Sequence, residues 1–404
     1  MSERLSVILL AGFAYLLLVS GGVIPYVERD VAKSVVKGGM LVVVLLMMSF
    51  GTVRRSVLLP IGLFLLVGSA FMGVGLYRSS DISFALEKID GAILCSVIVA
   101  LVIDRGYGRY GERGFQAAFL QFAFLILAAT VLYKAQFGFF DRQTRFLLNG
   151  PIIYGWLMGF CALLSLHLRS VERRAIWSVL FAIFLAALLW TESKGSAIAF
   201  SVGLVAYILG SFRKNFKLLL SLALLSCSVY FLFLSDLIEL FQESRFSAVA
   251  RFLAGELGEV DDGSIGIRSL LLDEALRNFW AHPVLGIGLG QFTFDSLVYP
   301  HNQHLEIFAE LGFVAGFAHV IFVGAALLRA NPLNRCFILL FAVGSAFSGD
   351  ASYLRFLYAF CVLTFLPVER SWQAGPALIP QTSERASTQR DPMSPTTLSA
   401  RMRT

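Results

Sequence analysis

The sequence is short of charge: Asp, Glu, Lys and Arg make up 15% of its 404 residues, against about 25% in ordinary soluble domains. Its apolar share is correspondingly high, with 57% hydrophobic residues and a mean hydropathy of +0.75. This balance excludes a cytosolic globular enzyme and marks an integral membrane protein. Bilayer spans of about 20 residues, repeated about twelve times, would take up roughly 240 residues. One sizeable extramembrane segment and one tail are left over, with no room for a separate soluble catalytic domain. Cysteine motifs are missing as well. Cys95, Cys161, Cys227, Cys336 and Cys361 lie inside apolar stretches, without CxxC or Cys/His spacing, so neither a disulfide framework nor a zinc site is implied. No HExxH pattern and no internal repeat occur. Gly286-Ile287-Gly288-Leu289-Gly290 has no strand before it; it reads as a turn after His282-Pro283 that lets backbones pack closely, and not as a dinucleotide loop.

The net charge of +6 does not point to nucleic acid, because the basic residues sit in short clusters between apolar runs, as topology signals do. Candidate spans fall near 5–25, 36–50, 56–76, 89–104, 115–134, 149–168, 175–190, 195–211, 218–236, 311–328, 335–349 and 354–368. Arg54 and Arg55, Arg105 to Arg113, Arg169 to Arg174, Arg213 to Lys217, and Arg329 with Arg335 occupy alternate connections. Those connections are expected on the cytoplasmic side, with both termini. The count works with the first apolar run retained as a span rather than cleaved as a signal. The expected organisation is nine spans over 1–236, one outward loop over 237–300, three further spans over 301–368 and a disordered cytoplasmic tail over 371–404. The fold class is therefore an all-α polytopic membrane protein. Within the loop, Ser264 precedes a helical pattern with Ile267, Leu270, Leu271, Ala275, Leu276 and Phe279 apolar and Arg268, Asp273, Glu274 and Arg277 polar, which predicts an amphipathic helix at the membrane surface. The preceding piece, with Arg245 and Arg251 among Phe241, Phe246, Val249 and Phe252, is similarly mixed.

The stretch Tyr299-Pro300-His301-Asn302-Gln303-His304, running on to Glu310-Leu311-Gly312, leads into a span. Proline suits the first turn of a helix, which puts His301 at a helix N-terminus on the outward face. The positive end of the dipole disfavours imidazolium there and keeps the ring in the neutral form a general base needs. The alternative is an interfacial histidine with no role. His301 and His304 are spaced to share a helix face but lack a third ligand in register, so a metal site is not expected. Arg268 is expected to open the amphipathic helix, where a guanidinium beside the N-terminus is a good diphosphate ligand, or it is a solvated surface arginine. Lys194, in the short outward turn Thr191-Glu192-Ser193-Lys194-Gly195, pairs with Glu192 or points at a substrate phosphate. Asp350, in the last outward turn, orients His301 or caps the helix that follows.

These segments resemble motifs of the bacterial O-antigen ligase and O-antigen polymerase superfamily. His301-Asn302 followed by Glu310-Leu311-Gly312 and Gly316 is similar to its histidine motif. Gly266-Ile267-Arg268 with His282-Pro283-Val284-Leu285-Gly286-Ile287-Gly288 and Phe292 is similar to its loop signature. Ser193-Lys194-Gly195 is similar to its Ser-Arg-Gly turn, with lysine replacing arginine. The resemblance implies a GT-C-like glycosyltransferase of the bacterial inner membrane with its active site on the periplasmic face. It also implies a donor glycan on undecaprenyl diphosphate, a lipid A core oligosaccharide as acceptor in the ligases, membrane lipids as surroundings, and no metal, cofactor or nucleic acid. In its terms His301 is the base and Arg268 and Lys194 hold the diphosphate, with Asn302, Asp350, Glu310 and Arg245 supporting. The lysine departure weakens that contact, since an ammonium binds phosphate as a point charge. A compact span count and a single late loop favour a ligase over a polymerase; a transporter would show related halves and ionisable residues at mid-membrane.

Overall fold

The structure is a computed structural model that describes residues 3–20, 55–139, 146–210, 263–295 and 297–366. Arg245, the candidate spans 36–50 and 218–236, the loop up to residue 262 and the tail 371–404 lie outside the described residues. Among the described residues the chain is helical, and the β-structure consists of two isolated bridges. The helices are α1 (Glu3–Ser20), α2 (Arg55–Tyr77), α3 (Ile82–Ile89), α4 (Ser96–Tyr110), α5 (Glu112–Phe137), α6 (Pro151–Glu172), α7 (Ala175–Trp190), α8 (Lys194–Gly210), α9 (Gly263–Ala281), α10 (Gln303–Arg329), α11 (Pro332–Ser345) and α12 (Leu354–Phe365). A π-helical turn, Asp90–Cys95, joins α3 to α4 without a break, so the span expected at 89–104 starts earlier and ends later. Four described helices are long and apolar enough to cross a bilayer: Ser56–Tyr77, Glu112–Phe137, Pro151–Glu172 and Gln303–Arg329. The chain is a membrane protein.

Helix α6 is the centre of the core. It is apolar on every side, and a helix of that kind is buried all round. Phe160 on α6 lies 4.5 Å from the Phe337 ring and 5.3 Å from that of Phe360. Small residues set the approach: a Cβ on Gly344 would stand 2.8 Å from the Trp156 indole, and one on Gly155 would stand 2.6 Å from Ser196 Oγ.

One end of the bundle gathers the turns that sequence reading put on the outward side. Asn149 donates to the Val19 carbonyl at 2.8 Å, and Arg355 donates to Leu18 and Val19 carbonyls at 2.7 and 3.0 Å. Ser196 Oγ reaches the Ile152 carbonyl at 2.9 Å, and Gly195 packs on Phe347. Gly91 packs on Ser352, and Ser80 donates to Gln291 at 2.9 Å. The arginine-bearing ends meet elsewhere: Trp177 donates to Glu172 at 2.9 Å, Gly210 packs on Pro332, and Arg329 lies over the Phe365 ring. Arg355 was not singled out by its sequence context, yet it is 2% exposed, and its guanidinium closes the C-terminal carbonyls of α1.

Helix α10 is bent at Gly312, where φ is 79° and ψ is −174°. The break frees peptide groups, and the glycine turn predicted for close packing takes them up. Phe313 N–H, released from its helical partner, donates to the Pro283 carbonyl at 2.7 Å. The Ala309 and Glu310 carbonyls accept from Ile287 and Gly288 N–H, each at 3.0 Å. These three groups at the kink are thus paired, as buried backbone requires. Only glycine tolerates this contact: Gly286 has φ +67°, and a Cβ on it would lie 2.2 Å from the Glu310 carbonyl carbon. The span expected from 311 is therefore the second half of a longer helix.

Candidate active site

His301 lies just outside α10 and not in its first turn. Asn302 is the N-cap, accepting from Leu305 N–H at 3.0 Å, and His301 precedes it with φ +55°. A left-handed non-glycine residue is a strained choice that persists when its surroundings fix it, and such residues cluster at functional sites. The Tyr299 ring fixes one side of the imidazole, centroid to centroid 4.5 Å. The His301 Nδ1 atom is buried without a hydrogen-bond partner among the described residues. Burial lowers the His301 pKa from its ordinary value of 6.5, and the Arg268 guanidinium lowers it further. Desolvation and a nearby cation both favour the neutral ring.

Arg268 belongs to α9, five residues after its first, and does not open the helix. Positions 268, 271 and 275 share a face, and Leu271 and Ala275 on that face are fully buried against Phe292 and Ala309. Arg268 is therefore turned inward, half-buried, and not on the solvent side. Ile267, Leu270, Leu272, Leu276 and Trp280 form the exposed face, while the inner face is a narrow stripe ending in the arginine.

Asp350 takes the capping role. Its carboxylate accepts from Ser352 N–H at 2.7 Å and starts the 3₁₀ turn Ala351–Tyr353 ahead of α12. It also lies near Tyr299, whose phenol burial pushes up to about 12, with Asp350, Tyr353 and Glu306 adding to the rise. Gln303 Nε2 donates to the Ser348 carbonyl at 2.8 Å, which brings the Asp350 turn beside the His301 turn. Lys194 starts α8 and is half-buried; its neighbour Gly195 packs on Phe347, close to the same turn. His301, Arg268, Lys194 and Asp350 thus stand on segments that converge at one end of the bundle.

Glu310 is turned away from that convergence. It is 1% exposed, accepts from Lys88 Nζ at 2.7 Å, and receives Gly290 N–H at 2.9 Å and Phe292 N–H at 3.3 Å. Lys88, fully buried, also donates to Glu306 at 2.5 Å. Sequence reading missed Lys88 because it sits in a mixed segment 218 residues from Glu306. His304 does not pair with His301 either. Its Nδ1 meets His319 Nε2 at 2.8 Å and its Nε2 meets the Ala342 carbonyl at 2.7 Å, so both nitrogens are engaged inside the bundle.

Chemically, the end holds an imidazole whose neutral form is favoured and whose buried Nδ1 has no partner among the described residues, a guanidinium acting on it, and a lysine at a short turn. That set can take a proton from a hydroxyl and hold an anionic leaving group. Residues 179–320 match the family described as O-antigen ligase, a stretch that takes in Lys194, Arg268, His301 and Glu310 and ends before Asp350. No curated protein matches the chain. The family supports O-antigen ligase or polymerase activity in the broad sense. The match over residues 179–320 supports the O-antigen ligase and O-antigen polymerase superfamily.

Proposed function

We propose that the protein is an O-antigen ligase of the bacterial inner membrane. It transfers a glycan from undecaprenyl diphosphate to a hydroxyl of the lipid A core oligosaccharide on the periplasmic face. The observation that carries the reading is His301, with a buried Nδ1 that has no partner among the described residues and a pKa lowered by burial and by Arg268. In the proposed reaction His301 removes the acceptor proton as the hydroxyl attacks the anomeric carbon. The glycosidic bond to the diphosphate breaks, and its electron pair leaves on the phosphate oxygen. Arg268 and Lys194 bind the diphosphate and gain interaction energy as its charge grows, which is the kind of contact that lowers a barrier. Asp350 and Asn302 support the site through the turns they cap. Charge is handled by side chains without a metal, so transfer is expected to continue in excess EDTA; loss of activity restored by a divalent ion would remove that part. Deleting the gene and resolving lipopolysaccharide on a gel tests the reaction. A ligase predicts loss of all core-attached polymer with lipid-linked polymer retained. A core carrying a single repeat would assign the chain to polymerisation instead.

A further inference from the structure

We infer that Lys88 is a positioning residue for this transfer: acting through Glu306 and Glu310, it locks the His301 end of α10 to the glycine turn behind Arg268. The inference rests on the proposed function for its activity readout, and on geometry alone for its origin.

Lys88 comes from α3, far outside the family-matched stretch, and its ammonium is sealed from solvent. It meets Glu306 at 2.5 Å and Glu310 at 2.7 Å, both themselves buried. A lysine is almost never fully buried without such partners, and removing one partner of a buried pair leaves an uncompensated charge, so the three side chains hold one another in place. Glu310 then passes the restraint on. Its two oxygens take Gly290 and Phe292 N–H, and Phe292 is the wall on which Leu271 and Ala275 of α9 rest. Arg268 stands on that same face of α9. Glu306 lies one turn after Asn302, the cap that follows His301. One ammonium therefore ties the strand of chain bearing the proposed base to the support of the proposed diphosphate ligand. It touches neither reacting group.

Misplacing reacting groups by about 1 Å can cost about 10²-fold in rate. Lys88→Met, nearly isosteric and uncharged, is expected to lower kcat by about that factor, with a smaller change in donor KM. Hydrogen exchange of the 286–292 peptide should quicken in the same protein. Glu310→Gln keeps the fold more readily, since Lys88 then faces one carboxylate, and should show the same faster exchange and a lower kcat.

The deciding variant adds Ile287→Cys and Ala309→Cys to Lys88→Met. These residues are joined by a backbone hydrogen bond of 3.0 Å, so a disulfide can staple the turn to α10. Oxidised, the staple should return most of the lost turnover; reduced in the same sample, it should not. The double cysteine protein with Lys88 intact serves as the control. Native kcat and native exchange in Lys88→Met, or a folded stapled variant that stays slow when oxidised, would overturn the inference. Failure of the unmodified protein to transfer lipid-linked glycan in the same membranes would instead remove the proposed function; the exchange readout would still judge Lys88.

Discussion

Gln303 and Ser348 are joined by a 2.8 Å hydrogen bond from the Gln303 amide to the Ser348 carbonyl, both residues buried. This bond ties the turn before α10 to the turn before α12. Gln303→Leu keeps the volume but leaves the Ser348 carbonyl unpaired, an expected cost of about 1–3 kcal/mol. The thermal unfolding midpoint should fall, and glycan transfer with it, because the Asp350 turn is then free to move against His301. An unchanged midpoint would show that the bond carries no weight.

The kink in α10 makes a paired prediction within one helix. At Gly312, φ is +79° and a Cβ would lie 2.3 Å from the Val284 carbonyl oxygen, a backbone atom that cannot step aside. Gly324, further along, would meet nothing within 4 Å. Gly312→Ala should lower stability sharply and abolish transfer. Gly324→Ala should be neutral or stabilising by up to about 1 kcal/mol, the gain alanine brings to a helix interior. Equal behaviour in the two variants would mean the glycine turn and the kink are not coupled.

Orientation is tested by single-cysteine labelling in intact cells. Asp295 is exposed in the loop before α10, whereas Arg109 is exposed at the α4–α5 turn, among the arginine clusters. Asp295→Cys should react with a membrane-impermeant maleimide and Arg109→Cys should not. The reverse pattern would put His301 on the cytoplasmic side and end the proposed reaction.

Much of the site was legible because its residues announce themselves locally. The glycines 286, 288 and 290 predicted a turn built for close backbone approach, and the kink at Gly312 is what approaches. Pro300-His301-Asn302 predicted a helix start, which the Asn302 cap provides. Lys88 was not legible: nothing near it in the chain signals burial, and its role comes from carboxylates brought to it by the fold. Arg355 escaped for the same reason, since the carbonyls it closes belong to α1. The inward turn of Arg268 was not legible either, because it depends on Leu271 and Ala275 packing against Phe292 and Ala309.

The pH dependence of transfer separates the proposed roles of His301 and Arg268. The neutral imidazole is the active form, so kcat/KM should fall on the acid side as His301 protonates. Burial and then Arg268 lower that pKa from 6.5, so the acid limb of the native enzyme should lie below 6.5. Removing a neighbouring cation makes protonation easier. In Arg268→Ala the limb should therefore move up, and the variant should lose proportionally more activity at acidic pH than at neutral pH. Arg268→Lys restores a positive charge and should bring the limb back toward the native position while recovering only part of donor affinity, because the bidentate contact is gone. His301→Gln cannot accept a proton at neutral pH; its transfer should fall roughly 10²–10⁴-fold, and the acid limb should vanish. The measurement is transfer of labelled glycan in reconstituted membranes between pH 5 and 8, beside donor binding. A limb that persists in His301→Gln would assign the base to another group. One that stays fixed in Arg268→Ala would break the electrostatic link between the two residues.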